Sequence, residues 1–180
     1  MQDIDSSDVR SSAMPEEVRE AEKKAEAVVQ KLKELSLTIT LSESCTAGLV
    51  SALLANTNGA SAVFWGSFVC YTQEAKVSML GLDKKELSAF GLVSRETASS
   101  MAEAALKKSG ADISVSITGI AGPLGDGSDV PVGTIWAAVL TRDGYIKERK
   151  FLFEGSRNAI RCCAAIAALD LVQSVLDSLT

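Results

Sequence analysis

At 180 residues the chain has the length of one domain, and with 47% hydrophobic and 23% charged residues it excludes a disordered or fibrous polymer. A net charge of −5, with lysines and arginines scattered among acids, excludes a nucleic-acid-binding face, although a local basic pocket for one phosphate remains compatible with it. The chain contains no histidine, so neither a Ser-His-Asp or Cys-His triad nor a histidine-ligated zinc site can exist.

Residues 1–14 are rich in Ser and Asp and show no periodicity; they read as a mobile polar tail ahead of one domain over 15–180. They lack the apolar segment of a signal peptide. Pro15, with its fixed φ and missing N–H, suits the opening of a helix. Val18, Ala21, Ala25, Val28, Leu32 and Leu35 then recur at steps of three and four, which is one apolar helix face. Leu37–Leu41 is a short strand. Thr46–Leu54 is a helix ended by the turn Asn56-Thr57-Asn58-Gly59. Ala62–Tyr71 is a second strand, followed by short helices over Glu74–Leu80 and Lys84–Ala89. Ser94 caps a longer helix with Glu96 in its first turn, Met101, Ala105 and Leu106 on its face, and Gly110 past its end. Ile113–Ile117 is a third strand, and Gly119–Pro131 is a glycine-rich loop. Val132–Leu140 and Tyr145–Phe153 form a hairpin around Arg142-Asp143-Gly144. Ser156 starts a last helix with Ile160, Ala164, Ala167, Leu171, Val175 and Leu179 facing inward. This alternation predicts an α/β fold: a three-layer α/β/α domain whose five-stranded sheet is mixed and mostly parallel.

Cys45, Cys70, Cys162 and Cys163 show no C-x-x-C spacing, so neither a disulfide framework nor a structural metal site is expected. No uninterrupted apolar run approaches the roughly 18 residues of a membrane helix. These features describe a reduced, cytoplasmic protein with no membrane, metal or organic cofactor. A homo-oligomer, first of all a dimer, is expected from the apolar stripe of the first helix.

Functional loops of open α/β sheets lie beyond the carboxyl ends of the strands. Three segments fall there: Ser42–Thr46, Tyr71–Lys76 and Thr118–Pro123. Ser44 stands where a serine nucleophile could, and equally where a helix N-cap would. Without histidine its base must be a lysine, a carboxylate, a tyrosine or a water. Cys45 is the rival nucleophile, though a packed thiol is its ordinary role. Lys76 is the one lysine in the three segments. As a base it must be neutral, so burial or a nearby cation has to bring its pKa down from about 10.4. Gly119 and Gly122 allow close backbone approach to a ligand. N–H groups near Ser44 or Gly119 could hold an oxyanion, and a helix starting at Thr46 could hold a phosphate. Arg157 and Arg161 could reach a phosphate as well, or form a solvated helix face.

The three segments, in this order, resemble the C-terminal domain of the CinA (competence/damage-inducible) family. Glu43-Ser44-Cys45-Thr46 is followed by Gly59-Ala60-Ser61-Ala62-Val63, Tyr71 through Lys76, Gly91-Leu92-Val93-Ser94, Thr118 through Pro123, Pro131-Val132-Gly133-Thr134 and Gly155-Ser156-Arg157…Arg161. The resemblance covers residues 16–178. It implies an amidohydrolase that converts nicotinamide mononucleotide to nicotinate mononucleotide and ammonia, in NAD salvage. It makes Ser44 the nucleophile, Lys76 its activating base and Thr118 a third catalytic partner. Glu43, Cys45, Thr46, Tyr71, Gly119, Gly122 and Arg157 fall at its substrate-binding positions. Ala47, Leu124 and Val130 depart from the family pattern. The alternative is a catalytically idle domain that binds a nucleotide or a protein.

Overall fold

The structure, a computed structural model, describes residues 16–179. The expected tail at 1–14 and the helix-opening Pro15 lie outside the described residues. Helix α1 (Glu16–Leu35) buries Ala21, Ala25, Val28 and Leu32 of the predicted stripe and Val29 beside it, while Val18 and Leu35 at its ends are half-buried. Five strands follow: β1 (Ile39–Glu43), β2 (Phe64–Val69), β3 (Ile113–Gly119), β4 (Thr134–Thr141) and β5 (Ile146–Leu152). They form one sheet in the order β2-β1-β3-β4-β5. β1 pairs in parallel with β2 and β3, whereas β4 runs antiparallel to both β3 and β5. Four strands thus share one direction and β4 alone is reversed, giving the mixed, mostly parallel sheet expected from the sequence.

Helices cover both faces. On one side α1, α2 (Leu49–Ala55) and α6 (Arg157–Leu176) pack together, and α6 lies on β3, β4 and β5. On the other, α5 (Arg95–Ser109) lies on β1, β3 and β4. Its ends are those the sequence marks: the Ser94 hydroxyl accepts from Thr97 N, and Gly110 closes the helix in the left-handed region. β1 is buried along its whole length and β3 nearly so, as expected for central strands covered on both faces.

Several boundaries differ from the sequence reading, each for a local reason. α2 starts at Leu49 rather than Thr46, because Ala47 (φ 51°) and Gly48 (φ 89°) adopt left-handed backbone that no helix can contain. Ala60–Ala62 is a 3₁₀ turn, so β2 begins only at Phe64. The expected helix over 74–80 is one α turn, α3 (Gln73–Ala75), running into a widened π turn over Lys76–Leu80. α4 (Lys84–Phe90) follows, capped by the Asp83 carboxylate. In α6 the inward set is wider than one stripe. Ala165, Ala168, Leu169, Val172 and Leu176 join Ile160, Ala164, Leu171 and Val175, while Ala167 is half-buried and Leu179 is exposed past the helix end. α6 touches α1 on one side and the sheet on the other, so a single stripe cannot serve it. By length and composition Arg157–Leu179 would also suffice to cross a bilayer, but half of its most apolar stretch is buried inside the domain.

Ala47 is exposed and holds an αL conformation that glycine adopts without strain. Ala47→Gly is expected to raise stability by about 0.5–1 kcal/mol, since the relieved strain exceeds the entropy glycine adds to the unfolded chain. Urea denaturation of both proteins checks this; a less stable variant would refute the strain argument.

Candidate active site

The site starts from the last residue of β1. Glu43 is completely buried, and its side chain reaches forward rather than toward a ligand. One carboxylate oxygen accepts from Gly48 N (2.9 Å) and Val50 N (3.3 Å); the other accepts from Ser51 N (2.8 Å) and from the Ser51 hydroxyl. Glu43 therefore caps α2 from a distance. Its expected place at the substrate is corrected, and so is the expected phosphate site at this helix start, whose amides are already taken. Ser44 is not the cap either, since Gly48 occupies that position. Ser44 leaves the sheet by donating its own N–H to Ile117 O (2.9 Å), and its carbonyl accepts from Ala47 N (3.0 Å). Arg161 Nε donates to Cys45 O (3.2 Å) and Nη2 to Thr46 O (2.7 Å), so Arg161 is tied to the turn after Ser44 and does not line the cavity described below. Thr46 is buried and does not line the cavity described below, which corrects its expected substrate contact.

Lys76 comes in from the π turn and is 1% exposed. Its Nζ lies 2.8 Å from Ser44 Oγ and 2.8 Å from Cys70 O. The Cys70 carbonyl is itself fixed, because Cys70 N donates to Glu43 O (2.7 Å) at the end of β1. No carboxylate pairs with this amine among the described residues. Burial lowers its pKa from the ordinary 10.5; the nearby Cys70 and Cys45 thiols oppose that shift. Burial acts on Cys45 in the opposite sense and pushes its thiol up to about 12. Cys45 is thus held protonated, which removes it as a nucleophile near neutral pH.

Ser44, Lys76 and Thr118 all line one open cavity of about 200 Å³, together with Cys45, Tyr71, Gly119, Gly122 and Arg157. The Thr118 hydroxyl donates to Leu92 O (2.7 Å), not to Ser44 or Lys76. Its proton is committed to holding the loop ahead of α5, and only its lone pairs face other partners. Gly119 is required for sheet packing: an added Cβ would sit 2.3 Å from Ile135 Cδ1 and 2.7 Å from Thr134 O. At Gly122 (φ 76°) it would meet Val132 Cγ1 at 2.6 Å. Exposed Arg157 donates from Nη1 to Gly122 O (2.5 Å) and from Nη2 to the Tyr71 hydroxyl, bracing the cavity mouth. Leu124, 83% exposed, stands at that mouth, whereas Val130 lies outside it.

Sequence reasoning missed the apolar wall of Leu92, Val93 and Ile120, and Asp126 at the rim. The Gly91-Leu92-Val93-Ser94 string quoted above was the available signal for the first two. The Cys70 carbonyl, a main-chain group, left none. No group of three or more Cys, Asp or Glu side chains among the described residues is placed to hold a metal ion.

A buried amine against a serine hydroxyl, at the carboxyl ends of parallel strands, can be set beside known proteins. The model of the CinA C-terminal domain matches residues 21–176. This chain belongs to that family. A CinA-like protein of Kosmotoga olearia is 45% identical over 151 residues, covering 84% of this chain and 36% of the relative. A putative competence-damage inducible protein of Caldicellulosiruptor saccharolyticus is 43% identical over the same length, again covering 84% and 36%. The chain therefore spans about a third of the length of these curated relatives. Among solved structures, the competence/damage inducible protein CihA of Agrobacterium tumefaciens superposes with a TM-score of 0.84 at 36% identity, covering 92% of this chain and 99% of that one. A CinA superfamily protein of Klebsiella pneumoniae 700603 gives 0.85 at 28% identity, covering 88% and 98%. The CinA fold is thus shared along nearly the whole of this domain.

The lowered Lys76 pKa has a consequence for stability. Between that value and 10.5 the folded protein lacks a proton that the unfolded chain binds, so stability rises with pH through this window. Lys76→Met is expected to abolish that rise and to make the protein more stable at pH 7. Urea midpoints at steps from pH 7 to pH 10 for both proteins test this; parallel curves would show that Lys76 titrates as an ordinary solvated lysine.

Proposed function

We propose that this CinA domain is an amidohydrolase that cleaves the carboxamide of nicotinamide mononucleotide, yielding nicotinate mononucleotide and ammonia in a cytoplasmic salvage route. The observation that carries the reading is the 2.8 Å contact between the buried Lys76 amine and Ser44 Oγ. A neutral amine has two hydrogens and one lone pair. With one hydrogen on Cys70 O, the lone pair is available to the Ser44 hydroxyl proton.

Ser44 Oγ attacks the amide carbon while its proton passes to Lys76 Nζ. The tetrahedral intermediate carries an oxyanion, for which the N–H of Cys45, a residue that lines the cavity beside Ser44, is a donor; no backbone carbonyl takes it among the described residues. Lys76 returns the proton to the leaving nitrogen, the C–N bond breaks and ammonia departs. A water then attacks the acyl ester, with Lys76 again as base, and Ser44 is regenerated. Leu92, Val93 and Ile120 offer an apolar wall to the pyridine ring, and the Arg157–Tyr71 pair offers charge to the phosphate at the mouth. Thr118 supports this reading through the Leu92 loop rather than as a proton carrier.

Ammonia release from nicotinamide mononucleotide tests the proposal. Ser44→Ala and Lys76→Arg are each expected to lower the rate by about 10³-fold or more with the fold kept, since a guanidinium cannot accept the proton. Cys45→Ala is expected to stay within about threefold of the parent, and native Cys45 to resist iodoacetamide at pH 8, because its thiol is held protonated. Activity should climb toward alkaline pH as the amine becomes neutral, with its limb below the ordinary 10.5. An inert parent protein, or an active Ser44→Ala variant, would sink the reading.

A further inference from the structure

We propose that the free edge of β5 is a homodimer interface: a second copy of this chain adds its own β5 in antiparallel and joins the two five-stranded sheets into one. The interface owes nothing to the chemistry at Ser44.

β5 is hydrogen-bonded to β4 on one side, and no strand covers its other side among the described residues. In an antiparallel ladder alternate residues turn both N–H and C=O to the same side. Tyr145 O accepts from Thr141 N (2.9 Å), and Phe153 N donates to Gly133 O (3.0 Å). Lys147, Arg149 and Phe151, which alternate between them, therefore also bond inward, toward β4. Ile146, Glu148, Lys150 and Leu152 point their main-chain groups outward. The opposite edge is blunted: near the start of β2 its register with β1 shifts, and Gly66 (φ 138°) breaks the strand geometry. The apolar stripe of α1, the surface first expected to hold a second copy, is spent inside the domain against α6.

The outward residues of β5 read apolar, acidic, basic, apolar, an order that complements its own reverse. With a two-fold axis at Arg149, Glu148 of each copy faces Lys150 of the other, and Ile146 faces Leu152. All of these are hydrogen-bonded pairs, with about eight main-chain bonds across the seam. Ile146 is 41% and Leu152 63% exposed in the single chain. Glu148 is already held in place by the Ser99 hydroxyl and Arg95, whereas Lys150 has no ion-pair partner among the described residues. An axis at Glu148 would set that residue against itself and Lys147 against Arg149; an axis at Lys150 would oppose two lysines. Charges that turn other strands away thus admit one register of self-pairing. The axis brings two Arg149 together, but each guanidinium leans along its own strand, 5.3 Å from the Phe151 ring centroid. Glu17, Glu20 and Asp170 line the groove that also holds Arg149.

Sedimentation velocity on the full chain, from about 1 to about 100 µM, is expected to show a monomer–dimer equilibrium. Lys150→Glu, which sets acid against acid twice, should raise the dimer Kd by about 10-fold or more. Leu152→Pro removes an N–H that bonds only across the seam; it should weaken the dimer by a similar factor with the fold kept. Cysteines read the register. Arg149→Cys, made with Cys162→Ser and Cys163→Ser, puts two thiols at the axis, where facing Cα atoms stand about 4.5 Å apart, and mild oxidation should yield a covalent dimer. Lys147→Cys in the same background leaves its two copies about 13 Å apart and should not cross-link. A parent that stays monomeric at about 100 µM overturns the proposal, as does a dimer whose Kd a folded Lys150→Glu leaves within about twofold. Where the edge variants do not fold, the cysteines decide: a dimer that Arg149→Cys fails to cross-link, or that Lys147→Cys cross-links instead, overturns it.

Discussion

Both catalytic candidates hang on Glu43. Its carboxylate is closed off from water and, among the described residues, forms no ion pair, a placement that costs several kcal/mol unless every lone pair is used. Three backbone N–H groups and the Ser51 hydroxyl use them, and in doing so tie the end of β1 to the start of α2. The turn that carries Ser44 is stretched between these two fixed points. The main chain of the same residue does the complementary work. Glu43 O receives Cys70 N–H, and the Cys70 carbonyl in turn receives Lys76 Nζ. One residue thus sets the nucleophile through its side chain and orients the base through its backbone.

Lys76 shows how the fold substitutes for a histidine. A lysine amine in water is protonated at neutral pH and cannot serve as a base. Here desolvation lowers its proton affinity, and no carboxylate among the described residues restores it. The same burial raises the Cys45 thiol, so one dry environment frees the amine and silences the adjacent sulfur. Opposite shifts from a single cause follow from the charge types: burial disfavours whichever form is ionised. The selection of serine over cysteine is therefore electrostatic rather than a matter of position, since both residues line the cavity.

The layer order, the strand count and the convergence of three loops were legible in the sequence, because apolar spacing and turn residues report them directly. Ser94, Ser156 and Gly110 marked helix ends correctly, since each end is settled by one local hydrogen bond or one φ angle. The start of α2 was not legible. Thr46 and Ala47 are unremarkable in a helix, and only the distant Glu43 cap makes Leu49 the first helical residue. Glu43 itself, beside a candidate nucleophile, read as a ligand group; its actual partners lie five to eight residues onward. Arg161 was hidden for a related reason. Its acceptors are main-chain carbonyls more than a hundred residues away, and carbonyls carry no residue-type signal. Thr118 was placed correctly at the end of β3, but the sequence could not say that its hydroxyl proton goes to Leu92.

The widened turn over Lys76–Leu80 bears on how such a protein can change over generations. A π turn amounts to one residue more than the α-helix would hold, and such single-turn widenings are rare outside functional sites. Loss of a single codon between Val77 and Leu80 would let the segment relax into ordinary helix, a gain for local folding. It would also change by about 100° the angle around the helix axis between Lys76 and the buried Leu80, and with it the setting of the amine against Ser44. A lineage pressed only for heat resistance would find that deletion downhill. A lineage that needs the chemistry must keep the surplus residue, so in this stretch chain length, more than residue identity, is the heritable trait under constraint.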